Sequence, residues 1–244
     1  MSISVICVYN NEAQLNVQLK TSLEKQDVEY EFVAINNENG GFQSAAAALN
    51  YGATKATGDI LIFAHQDIYF KTSKELGELA DAITQCETGT IIGAIGVTEP
   101  RKVYYGNYTE GEAYDPKLSA GFNKDLYSVS TVDECIFGMK RETWIGHPLD
   151  EQLCDNWHLY GVEACLWARK HGFQVYVYPC QIHHFSGGKI SLGYMRNLRE
   201  LCRVYRKDFK YIWTTCYKVR TNSVCINCLV LLWTINRFIK GSLS

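Results

Sequence analysis

The sequence predicts an α/β fold: a mostly parallel sheet flanked by helices, followed by a basic helical C-terminal extension. Three observations carry this reading. Apolar runs at Ile3–Val8, Glu31–Ile35 and Asp59–Ala64 alternate with stretches of helical spacing. The connections between them are short, the pattern of a parallel sheet with right-handed crossovers. Basic residues then collect at the C-terminal end.

Taken in order, Ile3–Val8 is a first strand, and Glu12–Glu24 is helical through Leu15, Leu19 and Leu23. Glu31–Ile35 is a second strand ending in Asn36-Asn37, and Asn39-Gly40-Gly41 is a turn. Ser44 is a fitting N-cap for an Ala-rich helix over Ser44–Ala56. Asp59–Ala64 is the third strand, with the polar triplet His65-Gln66-Asp67 at its end. Ser73–Cys86 reads as a helix and Ile91–Val97 as a strand. Pro100–Tyr127, rich in Gly and Tyr, reads as a long functional loop or small insertion. Cys135–Met139 is a buried strand, Trp157–Lys170 a helix closed by Gly172, and Gln174–Tyr178 a strand. Ser191–Phe209 is a basic helix, and Val224–Lys240 an amphipathic or docking helix whose apolar run is too short to span a bilayer.

The chain has 244 residues, 47% of them hydrophobic, enough for one large α/β domain or a domain with an appendage. Its 16 Tyr and 5 Trp suit a binding surface for sugar faces. Met1–Val8 lacks a basic n-region and reads as a strand and not a signal peptide. With ten scattered Cys, this favours reduced thiols and a cytoplasmic location. Net charge is −2, but residues 189–244 hold eleven basic residues against two acidic, a net of +9 that leaves −11 on the body. An acidic body with a basic tail points to an anionic partner for the tail, such as the inner face of a membrane, or to the tail packing on the body or in a homodimer. No recognised module frames nucleic-acid binding.

In an open α/β sheet, ligands bind beyond the carboxyl ends of the strands. Asn36-Asn37 and His65-Gln66-Asp67 both fall on that rim. A carboxylate there, with a nitrogen donor two residues before it, suits a divalent cation held against a phosphorylated substrate.

Several blocks together resemble GT-A (Rossmann-like) glycosyltransferases of family 2. Ile3–Asn10 followed by Glu12 is similar to their opening strand and turn. Asn36-Asn37 stands where they carry Asp-Asp, and Ser44–Gly52 with Gly58–Phe63 is similar to their helix and Gly-Asp strand. His65-Gln66-Asp67 replaces the Asp-x-Asp metal motif, as in one branch of these enzymes. Leu149-Asp150-Glu151 and His158–Glu163, then Leu166–Arg169 and Gly172, resemble the acceptor-side block that carries the catalytic base, and His184–Gly188 the loop that closes it. The acidic pair of that block is reduced here to Gly161 and Glu163. The likeness spans Ser2–Gly188, dividing the chain into a glycosyltransferase domain at 1–188 (nucleotide-sugar half 1–99, acceptor half 100–188) and a basic helical extension at 189–244.

The resemblance implies transfer of a sugar from a nucleotide sugar, UDP-linked, to a glycan or lipid-linked hydroxyl, with inversion and with Mn²⁺ or Mg²⁺. It implies metal ligation by Asp67 and His184, with His65 beside them. Val8, Asn10, Glu12, Asn36, Asn37, Asn50, Gln66 and Asp67 would take the nucleotide. Glu163 would be the base, with Asp155 its rival, and Trp144, Trp157 and His158 would meet the acceptor. Two other readings compete. A non-catalytic sugar- or nucleotide-binding scaffold would keep the fold with these departures. A nucleotidyltransferase would want a Gly-rich, Lys- or Arg-bearing turn where Tyr9-Asn10-Asn11-Glu12 stands.

Overall fold

The computed structural model describes residues 1–99, 103–110, 125–186 and 190–239. The chain opens with β1 (Ile3–Tyr9), then α1 (Glu12–Leu15), a π-helical turn (Asn16–Lys20) and α2 (Thr21–Leu23) in one run. β2 (Glu31–Asn36), α3 (Ala45–Lys55) and β3 (Ile60–Ala64) complete the first half. Next come β4 (Ile68–Phe70), α4 (Glu75–Gln85), β5 (Ile91–Gly93), β6 (Ile95–Thr98) and β7 (Val103–Glu110). β8 (Tyr127–Ser128), β9 (Thr131–Val132), β10 (Ile136–Lys140), α5 (Arg141–Gly146) and α6 (Tyr160–Lys170) follow. The chain continues through β11 (Val175–Val177), β12 (Gln181–His184), α7 (Leu192–Tyr205), β13 (Tyr211–Trp213), β14 (Lys218–Arg220) and α8 (Ser223–Ile239).

The central sheet runs β2-β1-β3-β10-β5-β11-β8. β1, β2 and β3 are mutually parallel, and β11 is parallel to β5. β10 lies antiparallel between β3 and β5. Side chains alternate across the sheet. Ile3, Val5, Cys7, Ile60 and Ile62 pack toward Leu15, Leu19, Leu76 and Leu79 of α1, the π turn and α4. Ile6, Leu61 and Phe63 pack toward Ala46, Leu49 and Ala53 of α3 and toward Tyr160 and Ala164 of α6. Both faces are therefore covered, which explains the unbroken apolar run of β3. Gly58 sets the entry to β3: a Cβ there would lie 2.6 Å from Ser4 Oγ and 2.7 Å from the Ser4 amide. Ser44 caps α3 through its Oγ, which accepts from the Ala47 amide at 3.2 Å.

A second sheet, β4-β12-β7-β6-β9, packs Ile68, Phe70 and Ile182 into the same core as α4. Part of it corrects the expected loop at Pro100–Tyr127: residues 103–110 are a strand paired with β6 and β12. Residues 100–102 and 111–124 of that stretch lie outside the described residues.

The C-terminal extension is not purely helical, because β13 and β14 form a hairpin between its two helices. α7 buries Met195, Leu198, Leu201 and Cys202 against Leu159, Val162 and Leu166 around α6. Its apolar side is thus packed on the body. α8 turns Ile226 and Trp233 toward the same cluster. Among the described residues, no helix is long and apolar enough to cross a membrane.

Candidate active site

β1, β2 and β3 end together, with Tyr9 in register with Asn36. The turn after β3 carries His65, Gln66 and Asp67 onto this rim. β12 then brings His184 alongside, because it pairs antiparallel with β4 in the register His184↔Ile68. The Phe185 amide donates to the Asp67 carbonyl at 3.0 Å, closing that corner. His184 Nε2 lies 3.4 Å and His65 Nδ1 3.9 Å from Asp67 Oδ1. One donor atom from each of the three residues falls within 4.8 Å of the others. Ser186 Oγ stands 3.3 Å from His184 Nε2, and Tyr160 Oη 3.0 Å from His65 Nε2.

Burial works to raise the Asp67 carboxyl, but the hydrogen bond and charge of His184 outweigh it, so Asp67 is held as a carboxylate. Burial lowers His65, offset in part by Asp67, which favours the neutral ring. Neutral imidazole and carboxylate are the forms that bind metal.

Gln66 joins this cluster to the first turn of the chain. Its Oε1 accepts from the amides of Asn10 and Asn11 at 3.0 and 3.1 Å, and its Nε2 donates to Asn10 Oδ1 and Gln14 Oε1. Val8, Asn10 and Glu12 stand on the same rim, and the Glu12 amide donates to Glu38 Oε1 at 3.2 Å. Asn36 turns back on Glu38, accepting its amide at 2.8 Å. Asn37 is 7% exposed, and its side chain closes the 37–42 loop on the Phe42 amide (2.7 Å) and carbonyl (3.2 Å). Asn50, expected to take the nucleotide, has its side chain engaged with the 144–151 segment. Its Nδ2 donates to Leu149 O and Glu151 Oε1, both at 2.8 Å, and its Oδ1 accepts from Trp144 Nε1 and the Leu149 amide at 2.9 and 3.1 Å. All four hydrogen-bonding positions of that amide are filled.

The acceptor side departs further from expectation. Glu163 is 1% exposed and locked between His147 Nε2 (3.1 Å) and Tyr205 Oη (2.6 Å), on the face of α6 that meets α7. Asp155 is exposed and pairs with Arg196 through both oxygens at 2.9 Å. Trp144 is held by Asn50 and packs on the second core cluster. Trp157 remains 41% exposed, and His158 meets the Tyr194 ring edge-on.

Two carboxylates on the rim were not anticipated. Because β10 runs antiparallel, its beginning sits beside the end of β3, with Ile136 opposite Ala64. The His65 amide donates to the Cys135 carbonyl at 2.9 Å. Asp133 therefore stands next to the histidine cluster, and Glu134 follows it against the start of α6. Burial raises Asp133, but His184, the Thr215 hydroxyl and the Cys135 amide bring it down overall. Burial and the neighbouring Asp133 push Glu134 up to about 8, against the opposing amides of Leu159, Gly161 and Val162. The available signal was an acid pair directly ahead of an apolar strand, which in a parallel reading of the sheet falls at the wrong end.

A profile described as glycosyltransferase-like family matches residues 4–200. No curated protein matches. Among solved structures, GalNAc-T7 with UDP, GalNAc and Mn²⁺ superposes with a TM-score of 0.59 at 15% identity, covering 82% of this chain and 47% of that one. TarS 1–349 of S. aureus with UDP-GlcNAc gives 0.56 at 15% identity, covering 88% and 69%. The chain thus spans about half the length of GalNAc-T7. These likenesses establish a shared GT-A architecture, and with the match over most of its length the chain belongs to the glycosyltransferase-like family.

Proposed function

We propose that this protein transfers a sugar from a nucleoside diphosphate donor, UDP-linked, to a hydroxyl on a glycan or lipid-linked acceptor, with inversion. The observation that carries the reading is the His65–Asp67–His184 cluster at the sheet rim, tied through Gln66 to the Asn10–Asn11 turn. Two imidazoles and one carboxylate form a mixed donor set that suits Mn²⁺ better than Mg²⁺, which prefers oxygen. A divalent cation there would neutralise the charge that develops on the departing diphosphate.

The chain's own residues do the rest. Asp67 supplies the fixed negative charge. Gln66 holds the nucleoside-side turn in register with it. The exposed ring of Trp157 offers a face for the acceptor sugar, beside His158. Residues 1–99 would hold the donor, 100–188 the acceptor, and 189–244 would brace and localise the enzyme. Localisation is argued from α8: Val224, Leu231, Leu232 and Ile235 are 67, 59, 66 and 45% exposed, on the side opposite buried Ile226. With the net +9 of the tail, this apolar stripe suits an anionic membrane face.

Two features favour a binding scaffold as the second reading. The Asn36 and Asn37 side chains are engaged in their own loop, and position 161 carries no carboxylate. Thermal stabilisation separates the two. At ~100-fold its dissociation constant, UDP should add ~2.7 kcal/mol. Stabilisation that needs Mn²⁺ and vanishes in Asp67→Ala, together with slow hydrolysis of UDP-GlcNAc or UDP-GalNAc, supports the transferase. No stabilisation by UDP with Mn²⁺ defeats the donor site, and binding without hydrolysis favours the scaffold.

A further inference from the structure

Position 161, in the first turn of α6, is glycine where the resemblance expects an acid. A Cβ built on Gly161 would lie 3.0 Å from Glu134 Cγ. The Glu134 side chain therefore occupies the space that a side chain at 161 would enter. α6 is led in by Leu159 in the left-handed region, at φ 71°. The amides of Leu159, Gly161 and Val162 face the Glu134 carboxyl. Glu134 Oε1 is shielded from solvent and has no hydrogen-bond partner among the described residues. The oxygen belongs to a residue on the rim, one position before Cys135, whose carbonyl holds the His65 amide.

We propose that Glu134 is the general base, supplying from the strand side the carboxylate that α6 lacks at position 161. This rests on the donor reading above. The acceptor O–H bond breaks and its proton passes to the Glu134 carboxylate. The acceptor oxygen bonds to the anomeric carbon, and the nucleoside diphosphate leaves with the electron pair of the broken C–O bond. The two carboxylates expected for this role are engaged elsewhere, Glu163 with His147 and Tyr205, and Asp155 with Arg196. A base works best with a pKa near the operating pH, and Glu134 is pushed up to about 8. The titratable groups that face it are Asp133 beside it, Tyr160 and Cys165 on α6, Tyr194 on α7, and Cys154. Asp133 is the one held as an anion, because burial keeps both phenols and both thiols protonated.

The test uses water as acceptor: UDP release from UDP-GlcNAc and UDP-GalNAc with Mn²⁺, alongside UDP binding by thermal shift. Wild type should show a rate that climbs with pH toward about 8. Glu134→Gln should lose ~10²–10⁴-fold in rate and lose that limb, with UDP binding unchanged. Glu134→Gly should be equally slow, and adding Gly161→Asp to it should restore the rate by returning the carboxylate from the helix side. A Glu134→Gln rate equal to wild type overturns the assignment. So does a folded, UDP-binding double variant that stays inactive, since a purely structural Glu134 would lower melting temperature without rescue from position 161. A wild type that neither binds UDP nor hydrolyses either sugar nucleotide sinks the donor reading, and this inference falls with it.

Discussion

Asn50→Ala tests whether Asn50 is a clasp or a ligand-binding residue. The substitution strands two groups on one residue, since the Leu149 amide and carbonyl both bond the Asn50 side chain and Leu149 is 2% exposed. Each buried orphan costs ~1–3 kcal/mol. Trp144 Nε1 and Glu151 are less enclosed and can turn to water, so the total is ~2–6 kcal/mol. Urea unfolding with an unchanged m-value should report that loss, and a chain of this size should melt roughly 4–24 °C lower. UDP binding by the folded variant should match wild type. A loss under ~1 kcal/mol would show that these groups do not depend on Asn50. A Kd for UDP raised about tenfold in the folded variant would return Asn50 to the nucleoside pocket.

Glu163→Ala should destabilise by ~1–3 kcal/mol, because the Tyr205 hydroxyl, on a residue 4% exposed, loses its acceptor; sugar-nucleotide hydrolysis by the folded protein should be unaffected. For Glu134, the folded-state pKa of about 8 exceeds the unfolded value of ~4.3, so the native state binds more protons between those limits. Its contribution is complete below ~4.3 and is lost as pH rises through about 8, so urea midpoints at pH 5 and pH 9 should converge in Glu134→Gln relative to wild type. On α8, Leu231→Glu with Leu232→Glu should abolish co-sedimentation with vesicles rich in phosphatidylserine. Wild type that stays in the supernatant at low salt would refute membrane docking, and wild type that elutes as a dimer lost in the variant would assign the stripe to a second copy.

Much of the first half of the fold was legible because its signals are long or chemically specific. β1 and β3 are apolar runs that sit between two cores, and the Ser44 cap and Ala-rich α3 are local effects. The second sheet was hidden, because β4 and β12 are 3 and 4 residues long and periodicity needs more. The β13–β14 hairpin escaped for the same reason, with Lys218-Val219-Arg220 reading as part of a basic tail. At the site, Asp67 could be set on the rim because a strand end marks it, whereas His184 was named only through the likeness of its loop to the family's. Glu163 could not be oriented, since spacing says which residues share a helix face but not which neighbour that face meets. Glu134 depended on the direction of β10, a tertiary fact.

Leu159 has a consequence for where this enzyme can be cut. A leucine at φ 71° holds a conformation that costs ~1–3 kcal/mol, and it persists because its surroundings compel it. Leu159 shares its core cluster with Met195, Leu198 and Leu201 of α7. A chain shortened before residue 190 would lose that grip, Leu159 would relax, and the three amides aimed at Glu134 would swing away. The smallest piece that keeps the entry to α6 in this conformation therefore has to extend through α7.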